Sequence, residues 1–182
     1  MRALAIALVL TAFPKLPAVA QQFNAESLAP YIPTPQILVL TMLQAADVKP
    51  SDMVYDLGSG DGRIVITAAK VFGAHAVGVE LRPDLCREAK QRIRTEGVEG
   101  RVRIIPGNFL RVDLSPATVV TMYLLTSSNE RLRPNLEKYL RPGARVVSND
   151  YPIKGWRESR LRIVKTGAAE HKIYVYEMGH TK

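Results

Sequence analysis

A single cysteine, Cys86, stands in a chain of 182 residues, which excludes an internal disulfide and a cysteine-rich zinc site. Histidine is almost as scarce. His75, His171 and His180 are scattered along the chain, and no metal site is expected from them. Negative charge is in short supply too, with 17 Asp and Glu against 25 Lys and Arg and a formal net charge of +8. Part of the surface must be electropositive, which favours an anionic partner without naming one. No apolar run approaches the roughly 20 residues of a membrane span, so no stable span is expected. Internal repeats and low-complexity tracts are also missing. What is present, 47% hydrophobic and 23% charged, is the balance of one ordinary folded domain.

The first twenty residues read differently from the rest. Arg2 precedes an apolar stretch over 3–13, then Pro14-Lys15-Leu16-Pro17, then the small-residue triplet Ala18-Val19-Ala20. That is the order of a secretory signal peptide, and it divides the chain into a leader, 1–20, and a single domain, 21–182. The alternative is an N-terminal helix docked on the domain. Cleavage would make the protein periplasmic or secreted. A retained segment would leave it cytoplasmic or membrane-anchored.

Beyond residue 21, strand and helix patterns alternate. Thr34-Pro35 reads as a cap and first helical position for a helix over 36–46. Strands are predicted at 53–57, 75–80, 101–105, 118–124 and 144–148, and helices at 63–72, 83–96 and 129–140. Segments 161–165 and 172–177 read as a closing antiparallel pair. Apolar strands separated by helices imply an α/β three-layer sandwich: a mostly parallel, seven-stranded sheet with helices on both faces and a C-terminal antiparallel strand pair.

The loop after the first strand carries the chemistry. Asp56-Leu57-Gly58-Ser59-Gly60-Asp61-Gly62 places glycines at alternate positions where a strand gives way to a helix. Ligands sit at such a place in an open α/β sheet, and glycine permits both positive φ and close approach of a ligand. A dinucleotide fingerprint needs a glycine at position 63, where Arg63 stands, and the Gly-Lys-Ser/Thr of a phosphate loop is missing. Asp56 and Asp61 would repel a pyrophosphate but suit a ligand with ammonium or sulfonium charge. Glu80, at the end of the second strand, stands where a carboxylate can bind ribose hydroxyls. A nucleoside that carries positive charge is S-adenosylmethionine.

With these motifs the chain resembles the class I, seven-β-strand methyltransferases that depend on S-adenosylmethionine, over about residues 31 to 156. The resemblance implies that Asp56 and the loop Gly58, Ser59, Gly60, Asp61 and Gly62 hold the methionine part of the cofactor, and that Glu80 binds the ribose. It also implies that Asn108 and Phe109 lie along the adenine. The Tyr31-Ile32-Pro33-Thr34-Pro35 approach and the region from Leu132 to Tyr151 are similar to protein-lysine methyltransferases of this fold.

Methyl transfer from a sulfonium depends chiefly on orientation and exclusion of water, so no catalytic triad is required. Tyr123 and Thr126 near the end of the fourth strand, and Asn149, Asp150 and Tyr151 after the fifth, are placed to line an acceptor pocket. Tyr123, Asp150 and Tyr151 are the expected catalytic residues. The expected acceptor is a protein lysine or another amine. RNA, a small molecule, or a non-catalytic cofactor-binding role are the alternatives, with the basic residues of the later half forming the rim. Trp156 is a lid or a core anchor, Cys86 a buried thiol, and the protein a monomer or small oligomer.

Overall fold

The structure is a computed structural model that describes residues 31–181; the leader-like segment 1–20 and the boundary at residue 21 lie outside the described residues. In chain order the elements are α1 (Gln36–Ala45), β1 (Met53–Leu57), α2 (Arg63–Phe72), β2 (His75–Glu80), α3 (Pro83–Thr95), β3 (Val102–Pro106), a short 3-10 turn (Phe109–Arg111), β4 (Val119–Met122), α4 (Thr126–Tyr139), β5 (Arg145–Asn149), β6 (Arg160–Thr166) and β7 (Ala169–Glu177). The seven strands form one sheet in the order β3-β2-β1-β4-β5-β7-β6. β3, β2, β1, β4 and β5 are parallel, whereas β7 runs antiparallel to both β5 and β6. The expected three-layer α/β architecture is therefore present, and the strand order reverses between β1 and β4. A crevice opens there at the carboxyl ends of the strands.

Alternation along the strands sorts the core into two layers. Val54, Val119 and Val147 face the side covered by α1, α2 and α3, where Leu38, Met42, Ile66 and Ala89 pack against them. Tyr55, Val120, Met122 and Val146 face the opposite side, which Leu132 and Leu136 of α4 close. Each fully buried Val, Leu or Met among them contributes about 1.5–3 kcal/mol relative to exposure. By the same alternation Asp56, Thr121 and Asn149 turn toward the α1 side, and Tyr123, next after Met122, continues that face.

Two expectations are corrected here and one alternative is decided. The helix near residue 130 begins at Thr126, a turn before the 129–140 span predicted from the pattern, and it continues through Pro134, which lies on its exposed side. Pro35, not Thr34, stands at the cap of α1, and Thr34 is buried with its carbonyl turned to Arg63 instead. Trp156 is a core anchor: it is buried, meets Tyr176 edge-on, and donates its indole N–H to Glu137 at 3.0 Å.

At the amino ends of the strands, opposite the crevice, Asp52 ties several elements together. Its Oδ1 accepts from Thr118 Oγ1 at 2.7 Å and pairs with Arg145, while Oδ2 accepts the Lys49 N–H at 2.7 Å. Arg145 also donates to the carbonyls of Ala46 and Asp47, and Arg160 donates to that of Ala45 at 2.6 Å. These two guanidinium groups satisfy the orphan carbonyls that end α1 and complement the negative end of its dipole. At the far edge of the sheet β6 is exposed over most of its length, with Leu161 and Ile163 among Arg160, Arg162 and Lys165. Among the described residues no helix is long and apolar enough to cross a membrane.

Candidate active site

The loop between β1 and α2 is folded onto β2. Gly58 and Ser59 both donate to the Val79 carbonyl, at 2.9 and 3.0 Å, and Gly62 donates to that of Ser59 at 2.9 Å. Gly60 donates to Glu80 Oε2 at 2.8 Å, and Glu80 Oε1 accepts the Arg82 N–H at 2.8 Å. The loop amides at 58, 59, 60 and 62 are thus engaged by the protein itself, the opposite of an anion nest. Gly58, Gly60 and Gly62 all have positive φ. Two of them are also sterically committed. A Cβ on Gly60 would fall 2.5 Å from the Tyr31 ring, and one on Gly62 would fall 3.2 Å from Ala89 of α3. Tyr31 therefore lies directly on the loop.

The carboxylates have separate tasks. Asp56 is buried and accepts from Thr121 Oγ1 at 2.8 Å. Burial, aided by the charges of Glu80 and Asp61, pushes its pKa up to about 7 against the lowering effect of the Thr121 bond. Burial also works to raise Asp61, but the hydrogen bonds and charge of Arg63, with the charge of Arg92, hold its carboxyl below the ordinary value. Arg63 reaches on to the Thr34 carbonyl at 2.8 Å, so Asp61 braces the approach to α1 and is not a free anion. Ser59 Oγ is buried and unpartnered.

The pair expected along the adenine is engaged within the protein. Asn108 uses its Oδ1 to accept the Leu110 N–H at 2.9 Å and so caps the short turn. Phe109 is buried in the core layer beneath α4. The neighbouring Gly107 N–H joins β3 to the Glu80 carbonyl at 2.8 Å.

On the other side of the crevice, the structure brings Tyr123, Asp150 and Tyr151 together. The rings of Tyr123 and Tyr151 are stacked with centroids 6.2 Å apart and planes 30° from parallel. Burial, then a hydrogen bond to Asp150 and its charge, push the Tyr123 hydroxyl up to about 12. Asp150 has φ 60, a left-handed conformation uncommon for a non-glycine residue. Asn149 is wholly buried with an unpartnered Oδ1.

Two residues of this region escape sequence reasoning. Asn129, in the first turn of α4, is wholly buried and donates to the Tyr151 carbonyl at 2.9 Å and to Ser148 Oγ at 3.3 Å, which fixes the bend after β5. His171 of β7 meets Asp150 Oδ2 through Nδ1 at 2.8 Å. The misplaced start of α4 hid the first, and the antiparallel register that brings β7 beside β5 hid the second. Among the described residues no cluster of His, Cys, Asp and Glu could hold a metal ion.

The arrangement fits S-adenosylmethionine on its own geometry: a buried carboxylate at Asp56 without a cationic partner among the described residues, a second carboxylate with lone pairs to spare at Glu80, and a glycine loop whose amides are held by the protein itself. The chain matches the ANTKMT methyltransferase domain over residues 56–160. It is 52% identical over 154 residues to a protein-lysine N-methyltransferase of Saccharolobus islandicus, covering 84% of this chain and 96% of the relative. It is 32% identical to a lysine N-methyltransferase of Xenopus laevis that is named for an ATP synthase subunit, over 89% of this chain and 71% of that one. Among solved structures, an RNA methyltransferase from Salinibacter ruber in complex with S-adenosyl-L-homocysteine superposes with a TM-score of 0.76 at 44% identity, over 81% of this chain and 94% of the other. Strand order, loop geometry and these likenesses agree: the chain belongs to the ANTKMT methyltransferase domain family, within the class I methyltransferases that use S-adenosylmethionine.

Proposed function

We propose that the protein transfers a methyl group to the side-chain amine of a protein lysine, with Asp56, the 58–62 loop and Glu80 holding the cofactor and Tyr123, Asp150 and Tyr151 forming the acceptor pocket. The observation that carries this reading is the stacked tyrosine pair beside Asp150, on the side of the sheet to which Asp56 belongs. The relatives named as lysine methyltransferases support it.

Bound S-adenosylmethionine supplies an electrophilic methyl on a sulfonium whose departing thioether is neutral. The protein's task is to present a neutral amine in line and keep water away. Two aromatic walls desolvate the lysine nitrogen, which favours its neutral form. Asp150 beside the Tyr123 hydroxyl helps to keep it protonated, and the oxygen's lone pairs can accept an amine N–H. The negative charge behind it strengthens that acceptor.

Asp56 sets a pH dependence. Its pKa in the free protein lies above the unfolded value, so the protonated form supports the fold. That contribution is complete below about pH 4 and is lost as pH rises through about 7. A cofactor ammonium beside it needs the carboxylate ionised. Affinity for S-adenosylhomocysteine should therefore rise about fivefold from pH 6 to pH 7 and about twofold more before it levels off near pH 8. Calorimetric titration in the wild type and in Asp56→Asn checks this, and an unchanged slope in the variant would assign the titration to another group.

A second reading rests on the Salinibacter ruber neighbour, described as an RNA methyltransferase, and on the basic composition of this chain. Transfer of tritiated methyl groups into a cell extract, separated into protein, RNA and small-molecule fractions, decides between the two. Label recovered as methyl-lysine is expected; label confined to RNA would overturn the lysine assignment.

A further inference from the structure

We propose that His171 is a positioning residue of the acceptor pocket: braced by Thr166, it holds Asp150 beside the stacked rings of Tyr123 and Tyr151. The inference rests on the assignment of Tyr123 and Asp150 to the acceptor pocket. Three strands meet at this carboxylate. Asp150 closes β5, His171 lies on β7, and Thr166 ends the edge strand β6. Asp150 Oδ1 accepts the Lys172 N–H at 3.0 Å, while Oδ2 receives His171 Nδ1 at 2.8 Å and the Asn149 amide at 3.4 Å. The second ring nitrogen, Nε2, meets Thr166 Oγ1 at 3.0 Å.

The χ2 torsion of an aspartate is soft, so its direction is set by what its oxygens touch. The Lys172 amide holds one oxygen. Of the two groups on the other, His171 is much the closer, and it alone is fixed at its far side by another side chain. Both members are mostly shielded, with side-chain exposures of 17% for His171 and 23% for Asp150, so the contact is not simply a surface pair. Removing the imidazole frees Oδ2 to turn, and Asp150, which leads into the Tyr151 ring stacked on Tyr123, loses its brace.

The ring chemistry makes the arrangement testable. An ionised carboxylate only accepts, so a neutral His171 must carry its proton on Nδ1 and accept the Thr166 hydroxyl at Nε2.

Steady-state methyl transfer by the full chain should show kcat reduced about tenfold or more in His171→Ala, with KM for S-adenosylmethionine little changed, as expected of a misaimed pocket. His171→Asn places an amide nitrogen where Nδ1 stands and should recover most of the rate. His171→Gln, which matches Nε2, should not. Full activity in His171→Ala, or equal recovery by Asn and Gln, would overturn the proposal. Should the variants fail to fold, long-range ¹H–¹⁵N correlation on the wild type at alkaline pH still decides: an Nδ1–H tautomer is expected, and an Nε2–H tautomer refutes it. A wild type that methylates no protein defeats the lysine assignment instead, and the tautomer then reports on His171 independently.

Discussion

Glu80→Ala should weaken cofactor binding by about 100-fold or more, equivalent to roughly 3 kcal/mol. A carboxylate offers about four lone-pair sites. In this protein two are taken by the N–H groups of Gly60 and Arg82, and the remainder are available to a vicinal diol. Alanine removes both functions at once. The diol loses charge-assisted bonds, and the two loop amides lose their acceptor, so the loop that should receive the cofactor also loses its anchor to β2. Glu80→Gln keeps one acceptor oxygen and should fall between the wild type and alanine. Calorimetric titration with S-adenosylhomocysteine measures both. Wild-type affinity in Glu80→Ala would show that the cofactor is held elsewhere, whatever the acceptor proves to be.

Asp52→Ala should cost about 3–5 kcal/mol of stability, the range for breaking one partner of a buried ion pair, and lower the melting temperature by roughly 10 °C. The size comes from what is left behind. Arg145 keeps its charge with a side chain only 21% exposed, and Thr118 Oγ1 and the Lys49 amide lose their acceptor. The pair Arg82–Asp84 is an internal control. Its side chains are 47% and 52% exposed, and screening by solvent holds such a pair to less than about 1 kcal/mol. Thermal denaturation of Asp52→Ala beside Asp84→Ala should separate the two clearly; equal shifts would refute the structural role given to Asp52. Because this cluster lies at the opposite end of the strands from the crevice, the surviving folded fraction should still bind cofactor.

Much of the fold was legible because its signals are local. Five parallel strands and their helices announce themselves through apolar runs and breakers such as Pro50-Ser51-Asp52 and Pro142-Gly143, and the predicted boundaries differ from the observed ones mostly by a residue or two. The glycine loop was legible for the same reason: strand, loop and helix are contiguous there, and Glu80 follows at the next strand end. Asp61 shows the limit of that reasoning. Its charge and its neighbour Arg63 are visible in the sequence, but its second cation, Arg92, comes from α3 and is not. Asn108 shows a second limit, since the bond its Oδ1 accepts from the Leu110 N–H is set by the short turn and not by residue type. His171 shows a third. Only the register that pairs Asn149 with Ile173 brings it to Asp150, and nothing in a scattered histidine announces such a partner.

Among the described residues, the outer strand β6 pairs on one side alone and leaves backbone N–H and C=O groups along an edge that also carries Leu161 and Ile163. Such an edge is a template for another strand, one from a second copy included. Arg160, Arg162 and Lys165 stand on that strand, so a second copy meets like charge at each approach. Part of the basic excess thus acts away from any substrate: like charge along β6 opposes pairing of two copies at this edge, and the opposition weakens as salt shortens the reach of the repulsion.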